Sequence, residues 1–236
     1  MAHTAHTAII TGGTKGIGLG VAHVLIQNGI KVCITGRDAN TVKNASDHLN
    51  SLVDDSAIGV VSDVRDYDSQ VKSVDAVIKK WGRLDYFVAN AGVGHFANIE
   101  QLSFEQWHET IDINLTGVFY SAKACLEELK KTQGFFITIA SLAGTNFFAA
   151  GSAYNASKFG LVGFTQAMML DVRDYGVRVS TIMPGSVSTF FNGHVPTDAD
   201  AWKIQPEDIG QLVMDLIKMP ARTLPSKIEV RPSRTK

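Results

Sequence analysis

The stretch Thr7-Ala-Ile-Ile-Thr11-Gly12-Gly13-Thr14-Lys15-Gly16-Ile17-Gly18-Leu-Gly-Val21 decides the fold. A short β-branched run ends at Thr11. A glycine-rich turn follows, and then Ile17, Val21, Val24 and Leu25 recur at the spacing of one helical face. A strand-to-helix turn with few Cβ atoms lets its backbone approach a pyrophosphate, and the helix N-terminus favours the negative charge. The spacing departs from G-x-G-x-x-G. An ordinary glycine-rich turn is the structural alternative, and the position after the first strand argues against it. Gly12, Thr14, Lys15, Gly16, Ile17 and Gly18 are therefore candidate nucleotide-phosphate contacts.

Outward from this unit, short apolar runs alternate with helical periodicity to the end of the chain. That alternation predicts βαβ units and a parallel sheet. Seven strands are expected, at Thr7–Thr11, Lys31–Gly36, Ala57–Val61, Leu84–Ala89, Gly134–Ala140, Val177–Met183 and Lys227–Arg231. Trp107, Ile111, Leu115, Val118, Ala122, Cys125 and Leu129 form one long helical stripe. Trp107, Phe119, Met168 and Met169 read as core packing. The 236 residues are expected to form one domain. Within it, Ser186 to Gln205 lacks periodicity before Pro206-Glu-Asp opens a helix through Lys218. That segment, with Phe190, Phe191, Val195 and Trp202, is a candidate substrate lid.

Composition narrows the partners. Twenty-two basic and 23 acidic side chains leave a formal charge of −1, so no overall field draws nucleic acid or an anionic membrane. No apolar run spans a bilayer and no secretion signal opens the chain, which makes the cytoplasm the expected location. Cys33 and Cys125 lack the spacing of a zinc or redox motif and read as small core residues. His3 and His6 are weak metal candidates in the N-terminal segment, and no metal is expected.

The second constellation is Ser141 with Tyr154-Asn-Ala-Ser-Lys158. A helix starting near Ala153 stacks Tyr154 and Lys158 on one face. A fixed cation beside a phenol favours phenolate and is expected to draw the tyrosine down from its usual value near 10. Such a phenol donates a proton to a carbonyl oxygen during reduction, or removes one from an alcohol during oxidation. Ser141, at the end of the fifth strand, is placed to hydrogen-bond the reacting oxygen. An exposed helix pair is the bland reading of Tyr154 and Lys158 alone.

Thr11-Gly-x-x-x-Gly-x-Gly, Asn90-Ala91-Gly92, Asn114, Ser141, Tyr154-x-x-x-Lys158 and Pro184-Gly185 together resemble the short-chain dehydrogenase/reductase family over most of the chain. The resemblance implies a doubly wound Rossmann fold with a seven-stranded parallel sheet and helices on both faces. It implies that Lys158 also binds the nicotinamide ribose, Asn114 holds a water in a proton relay, and Asp63 and Val64 meet the adenine. Asn90, Ala91, Gly92, Pro184, Gly185, Val187 and Thr189 would complete the cofactor wall. Structural alternatives are a helix-interior role for Asn114, a cap for Asp63 and a turn for Pro184-Gly185. The resemblance also implies a homodimer or homotetramer formed through the helices of Trp107–Lys131 and Tyr154–Tyr175. Two departures stand out: Ala89 occupies a position where the family often has Asn, and the ending Ser226-Lys-Ile-Glu-Val-Arg-Pro is not glycine-rich. The second argues against a 3-oxoacyl-carrier-protein reductase and for a small free carbonyl or alcohol as partner. Ser141, His95, Phe148 and Phe190 are the candidate substrate contacts, and His194 in the lid is equally suited to substrate or surface.

Gly36-Arg37 at the end of the second strand points to NADP(H), because guanidinium suits a 2′-phosphate and Lys15 adds a second cation. Asp38 either reaches the ribose or caps the helix starting near Ala39. An NAD-dependent alcohol or hydroxy-acid dehydrogenase and a non-catalytic nucleotide sensor are the competing readings. The intact Ser141, Tyr154 and Lys158 set argues against the sensor. Gly185 to Lys236 leaves too little chain for the substrate domain of a nucleotide-sugar epimerase.

Overall fold

The computed structural model describes residues 5–234. In chain order its main elements are β1 (Thr7–Ile10), α1 (Gly16–Gln27), β2 (Lys31–Gly36), α2 (Ala39–Leu52), β3 (Ala57–Val61), α3 (Tyr67–Trp81), β4 (Tyr86–Ala89), α4 (Phe104–Ile111), α5 (Gly117–Thr132), β5 (Phe135–Ile139), α6 (Ser152–Val172), β6 (Arg178–Pro184), α7 (Pro206–Lys218) and β7 (Lys227–Val230). The seven strands form one parallel sheet in the order β3-β2-β1-β4-β5-β6-β7. This is the doubly wound Rossmann arrangement. The order reverses between β1 and β4, and the crevice at the carboxyl ends of these two strands is where such sheets take ligands.

Both faces of the central strands are buried, which is why they read as continuous apolar runs rather than alternating ones. Ala8, Ile10, Val32, Ile34, Ile137 and Ile139 point to one side, against Val21 and Leu25 of α1, Leu49 of α2 and Ile209 and Val213 of α7. Ile9, Cys33, Phe87 and Phe136 point to the other, against α3, α5 and α6. Cys33 and Cys125 are both free and fully buried.

The second and third expected strands keep both limits, and the other five shift by a residue or two at one or both ends. Thr11 leaves the ladder because its hydroxyl turns to accept from the Asn90 and Ala91 amides. Asp85 stands just before β4, where its buried carboxylate accepts from the Thr7 amide and the Arg83 guanidinium. The long stripe from Trp107 to Leu129 is broken. A π-helical turn, Asp112–Thr116, joins α4 to α5, with the Gly117 amide bonded to Asp112 O five residues back. One inserted residue rotates the helical phase. Val118, Ala122, Cys125 and Leu129 beyond the turn are buried, whereas Trp107 before it is 37% exposed. Phe119, also expected inside, is exposed against Tyr120 and Phe164. Met168 is buried and Met169 packs at the edge of its core.

Among the described residues no helix is long and apolar enough to cross a membrane, and no group of three His, Cys, Asp or Glu side chains is placed to hold a metal. His3 lies outside the described residues; His6 stacks on Tyr86.

Candidate active site

The glycine turn is shaped by two close approaches. Gly12 has φ +63°, and a Cβ on Gly18 would lie 2.4 Å from the Gly12 carbonyl oxygen, so the turn folds tightly back onto α1. Asn90 ties the turn to the end of β4, its side-chain amide donating to Thr11 O at 2.9 Å and Gly12 O at 3.1 Å. No side chain caps α1, and its first turn carries no acidic residue. These uncapped amides and the helix dipole are the chemistry that a pyrophosphate needs.

A cavity of about 840 Å³ opens at this carboxyl edge of the sheet. Gly12, Thr14, Lys15, Gly16, Ile17, Arg37, Asp63, Val64, Asn90, Ala91, Gly92, Pro184, Gly185, Val187 and Thr189 all line it. Gly18 lies behind the wall as a packing residue. At the β2 end, Asp38 is spent on the helix: it caps α2 by accepting from the Thr41 amide at 2.8 Å. Arg37 faces the cavity, half-exposed, with Nη1 4.0 Å from Glu109 Oε1. The other Glu109 oxygen lies 2.8 Å from His95 Nε2, so one carboxylate of α4 bridges two candidate site residues. Asp63 does not cap α3, a role taken by Asp66. It pairs instead with Arg65, whose hydrogen bonds hold its carboxyl below the ordinary range.

Ser141, Tyr154 and Lys158 share the same cavity. The Ser141 hydroxyl accepts from the Ala143 amide at 3.1 Å, which holds it at the end of β5. Tyr154 and Lys158 lie one turn apart on α6, with Lys158 Nζ 5.8 Å from the phenol ring. The electrostatics differ from the sequence expectation. Burial pushes the Tyr154 phenol up, only partly offset by Ser141, and pushes Lys158 down to about 8. Desolvation outweighs the attraction expected between them, and the ammonium finds its partner in Ile139 O at 3.0 Å.

Asn114, within the π turn, is fully buried behind the cavity wall. Its amide accepts from Val93 N at 2.9 Å and donates to Val93 O at 2.8 Å and Ser157 Oγ at 3.0 Å. The side chain thus joins the strand-end loop to α6.

Among the candidate substrate contacts, His95 and Phe190 line the cavity and Phe148 does not; it packs outside against Phe96. Phe191 and His194 also line it. The 186–205 segment is tied at its base, where Val187 bridges Ile204 and Ser188 N donates to Ile204 O at 2.9 Å. Between these ends run two short 3₁₀ turns, Phe191–Gly193 and Asp198–Asp200. Asp200 draws His194 to 2.5 Å and Lys203 to 2.6 Å, and the Lys203 and His194 hydrogen bonds hold its carboxyl at about 2. Phe191 is one of the aromatics that the sequence places in the candidate lid, whereas Glu109 has no sequence signal, since it reaches the site only through the path of its helix.

Residues 6–200 match the model of the short chain dehydrogenase family. The chain is a member of that family. A trans-4-hydroxycyclohexanecarboxylate dehydrogenase of Sinomonas cyclohexanicum is 32% identical over 89% of this chain and 84% of its own length. An uncharacterised oxidoreductase of Staphylococcus saprophyticus is 31% identical over 95% and 96%. Among solved structures, an alcohol dehydrogenase of the archaeon Thermococcus sibiricus, complexed with 5-hydroxy-NADP, superposes with a TM-score of 0.92 at 27% identity, covering 98% of both chains. A metagenomic short-chain oxidoreductase in complex with NADP gives 0.85 at 29%, over 98% and 99%. Membership of the short-chain dehydrogenase family makes the chain an oxidoreductase of a nicotinamide-using fold that acts on small molecules.

Proposed function

We propose that this oxidoreductase interconverts a small carbonyl compound and its alcohol, with NADP(H) as cofactor and Tyr154 as general acid and base. The observation that carries the reading is the meeting of Ser141, Tyr154 and Lys158 in one cavity with the uncapped start of α1. The residues fit the cofactor: the glycine turn and α1 amides suit its pyrophosphate, and Arg37 and Lys15 suit a 2′-phosphate. Bound there, the nicotinamide supplies or accepts the hydride.

In reduction, Tyr154 gives its phenolic proton to the substrate oxygen while Ser141 hydrogen-bonds the same atom. The raised phenol suits this direction because it is protonated at neutral pH. In oxidation the same group must first lose its proton, which Lys158 assists by its positive charge. Asn114 positions α6 against the Val93 loop, and the 186–205 segment closes over the substrate. Preference for NADP(H) is supported by Arg37, by the engagement of Asp38 as a cap and by the NADP complexes of both structural relatives. The test is turnover of ketones, aldehydes and hydroxy acids with each nicotinamide cofactor. Turnover of none of them would overturn the reading.

A further inference from the structure

The two ends of the 186–205 segment straddle the first turn of α1. Thr189 stands against Gly16, where an added Cβ would lie 3.4 Å from the threonine Cβ. Pro206, just beyond the other end, packs on Gly20, where a Cβ would lie 2.6 Å from the proline. Gly16 and Gly20 are about one helical turn apart. Between these contacts the chain is fixed by Ile204, whose amide donates to Ser186 O at 3.1 Å and whose carbonyl accepts from Ser188 N at 2.9 Å. Lys203 immediately precedes it. Its side chain is only 19% exposed and lines the cavity together with Gly16, Ile17 and Thr189. A lysine so far withdrawn from water needs a charged partner. Asp200, itself buried, supplies one, with Oδ1 2.6 Å from the Lys203 ammonium. The other Asp200 oxygen lies 2.5 Å from His194 Nε2. The main chain of Lys203 is held as well, its amide donating to Asp200 O and its carbonyl accepting from Gln205 Nε2, both at 2.9 Å.

We infer that Lys203 is a ligand of the cofactor's diphosphate, reaching it from the 186–205 segment beside the start of α1. The inference rests on the proposed cofactor site and adds a residue to it. An ammonium carries three donors. Asp200 takes one, which leaves two for phosphate oxygens. The start of α1 offers amides and the positive end of a dipole, with no acidic side chain in its first turn to repel an anion, but that helix brings no cation of its own. Among the lysines and arginines that line the cavity, Lys15 and Arg37 suit the 2′-phosphate and Lys158 neighbours Tyr154, which leaves Lys203 for the diphosphate. Asp200 acts as a positioning residue. By fixing the amine before any cofactor arrives, it lowers the side-chain freedom that binding must remove. The contact also joins the far end of the segment to the cofactor through a side chain, where Thr189 joins the near end.

The test measures cofactor binding to the full chain by the fluorescence of NADPH, independently of turnover. Lys203→Met should raise the NADPH Kd about tenfold, the scale of one charge-assisted hydrogen bond. The same factor should appear with NADH, which shares the diphosphate. Lys203→Arg keeps the charge and should stay within about threefold of wild type. Adenosine 2′-monophosphate has the 2′-phosphate but no diphosphate, so its Kd, read by displacement of NADPH, should be the same in wild type and Lys203→Met. The methionine variant strands the Asp200 charge, and a double variant, Lys203→Met with Asp200→Asn, removes that charge as well. It should remain at least about fivefold weaker than wild type. Circular dichroism melts without cofactor establish that the variants are folded. An unchanged Kd in Lys203→Met, recovery of wild-type affinity in the double variant, or an equal loss for adenosine 2′-monophosphate overturns the diphosphate contact and leaves the cofactor site standing. Failure of the wild-type chain to bind either nicotinamide cofactor overturns that site and the contact with it.

Discussion

The Lys158 ammonium donates to the main-chain carbonyl of Ile139 across 3.0 Å, inside the wall of the candidate active site. A single carbonyl does not replace bulk water, so burial brings the lysine down from 10.5 to about 8. The sign of the stability effect follows. Below pH 8 both folded and unfolded chains carry the proton. Between about 8 and 10.5 the unfolded chain holds more of it, so stability rises with pH. A shift of that size corresponds to about 3 kcal/mol across the window. Tyr154 is shifted upward and stays protonated through most of it. Urea unfolding of wild type and Lys158→Met should therefore diverge as pH rises from 8 to 10, with wild type gaining. A constant difference between the two proteins would show that Lys158 is not desolvated.

Tyr154→Phe removes one hydroxyl and keeps the ring that packs against Phe96 and Phe191. Turnover at saturating substrate should fall by about 10²- to 10⁴-fold, the usual contribution of a general acid or base. The melting temperature and cofactor Kd should hold nearly constant. Retention of more than about a tenth of wild-type turnover, with chemistry rate-limiting, would remove Tyr154 from the proton transfer.

Asn114 satisfies three groups at once, both main-chain polar atoms of Val93 and the Ser157 hydroxyl. In Asn114→Ala the Ser157 hydroxyl keeps its bond to Tyr154 O, but the half-buried amide and carbonyl of Val93 lose their partner, and an unpaired buried group costs about 1–3 kcal/mol. Relaxation and water entry reduce the total, so a loss of about 2–4 kcal/mol in urea unfolding is expected. Activity should fall as well, because α6 carries Tyr154. A loss under about 1 kcal/mol would show that the joint between loop and helix is dispensable.

The parts of this molecule legible in its sequence are those that local pattern governs. Fully buried parallel strands announce themselves as apolar runs, and the turn from Thr11 to Gly18 follows the first of them; both features point to a sheet with its crevice at the strand ends. The π turn at Asp112–Thr116 left no such trace, since a single inserted residue preserves the apolar content of the stripe while rotating it. Glu109 escapes for a different reason. A carboxylate on a helix looks like many others until the fold brings it to Arg37. The spacing of Tyr154 and Lys158 predicts a phenol drawn down by its neighbouring cation, but the pattern carries no measure of burial, and burial dominates both groups.

The 186–205 segment is pinned at its base by Val187 and Ile204, while Phe190, Phe191 and Val195 between them stay exposed. A closing lid should therefore gain protection in its middle rather than at its ends. Amide exchange of residues 189–201 should slow by about tenfold or more when cofactor and product are both bound, with Ser188 and Ile204 slow throughout. Identical exchange with and without ligands would mean that the segment is a fixed wall.

Cofactor choice turns on competition for Arg37. Its guanidinium lies 4.0 Å from Glu109, a distance and exposure at which an ion pair contributes little. A 2′-phosphate at the end of β2 offers more charge and more acceptor oxygens, so it should draw Arg37 away. Asp38, the acidic side chain best placed to favour a free ribose hydroxyl, accepts from the Thr41 amide instead. A charge-assisted hydrogen bond is worth about 1.5–3 kcal/mol, and the half-exposed position of Arg37 places the effect at the lower end. At least about tenfold higher kcat/KM for NADPH over NADH is therefore expected, with Arg37→Ala abolishing most of it through KM. Glu109→Gln supplies the counterpart: freed of its competitor, Arg37 should bind NADPH more tightly, about twofold to fivefold in Kd, while NADH is unaffected. Equal or better use of NADH by the wild-type enzyme would overturn the assignment and return Asp38 to the ribose.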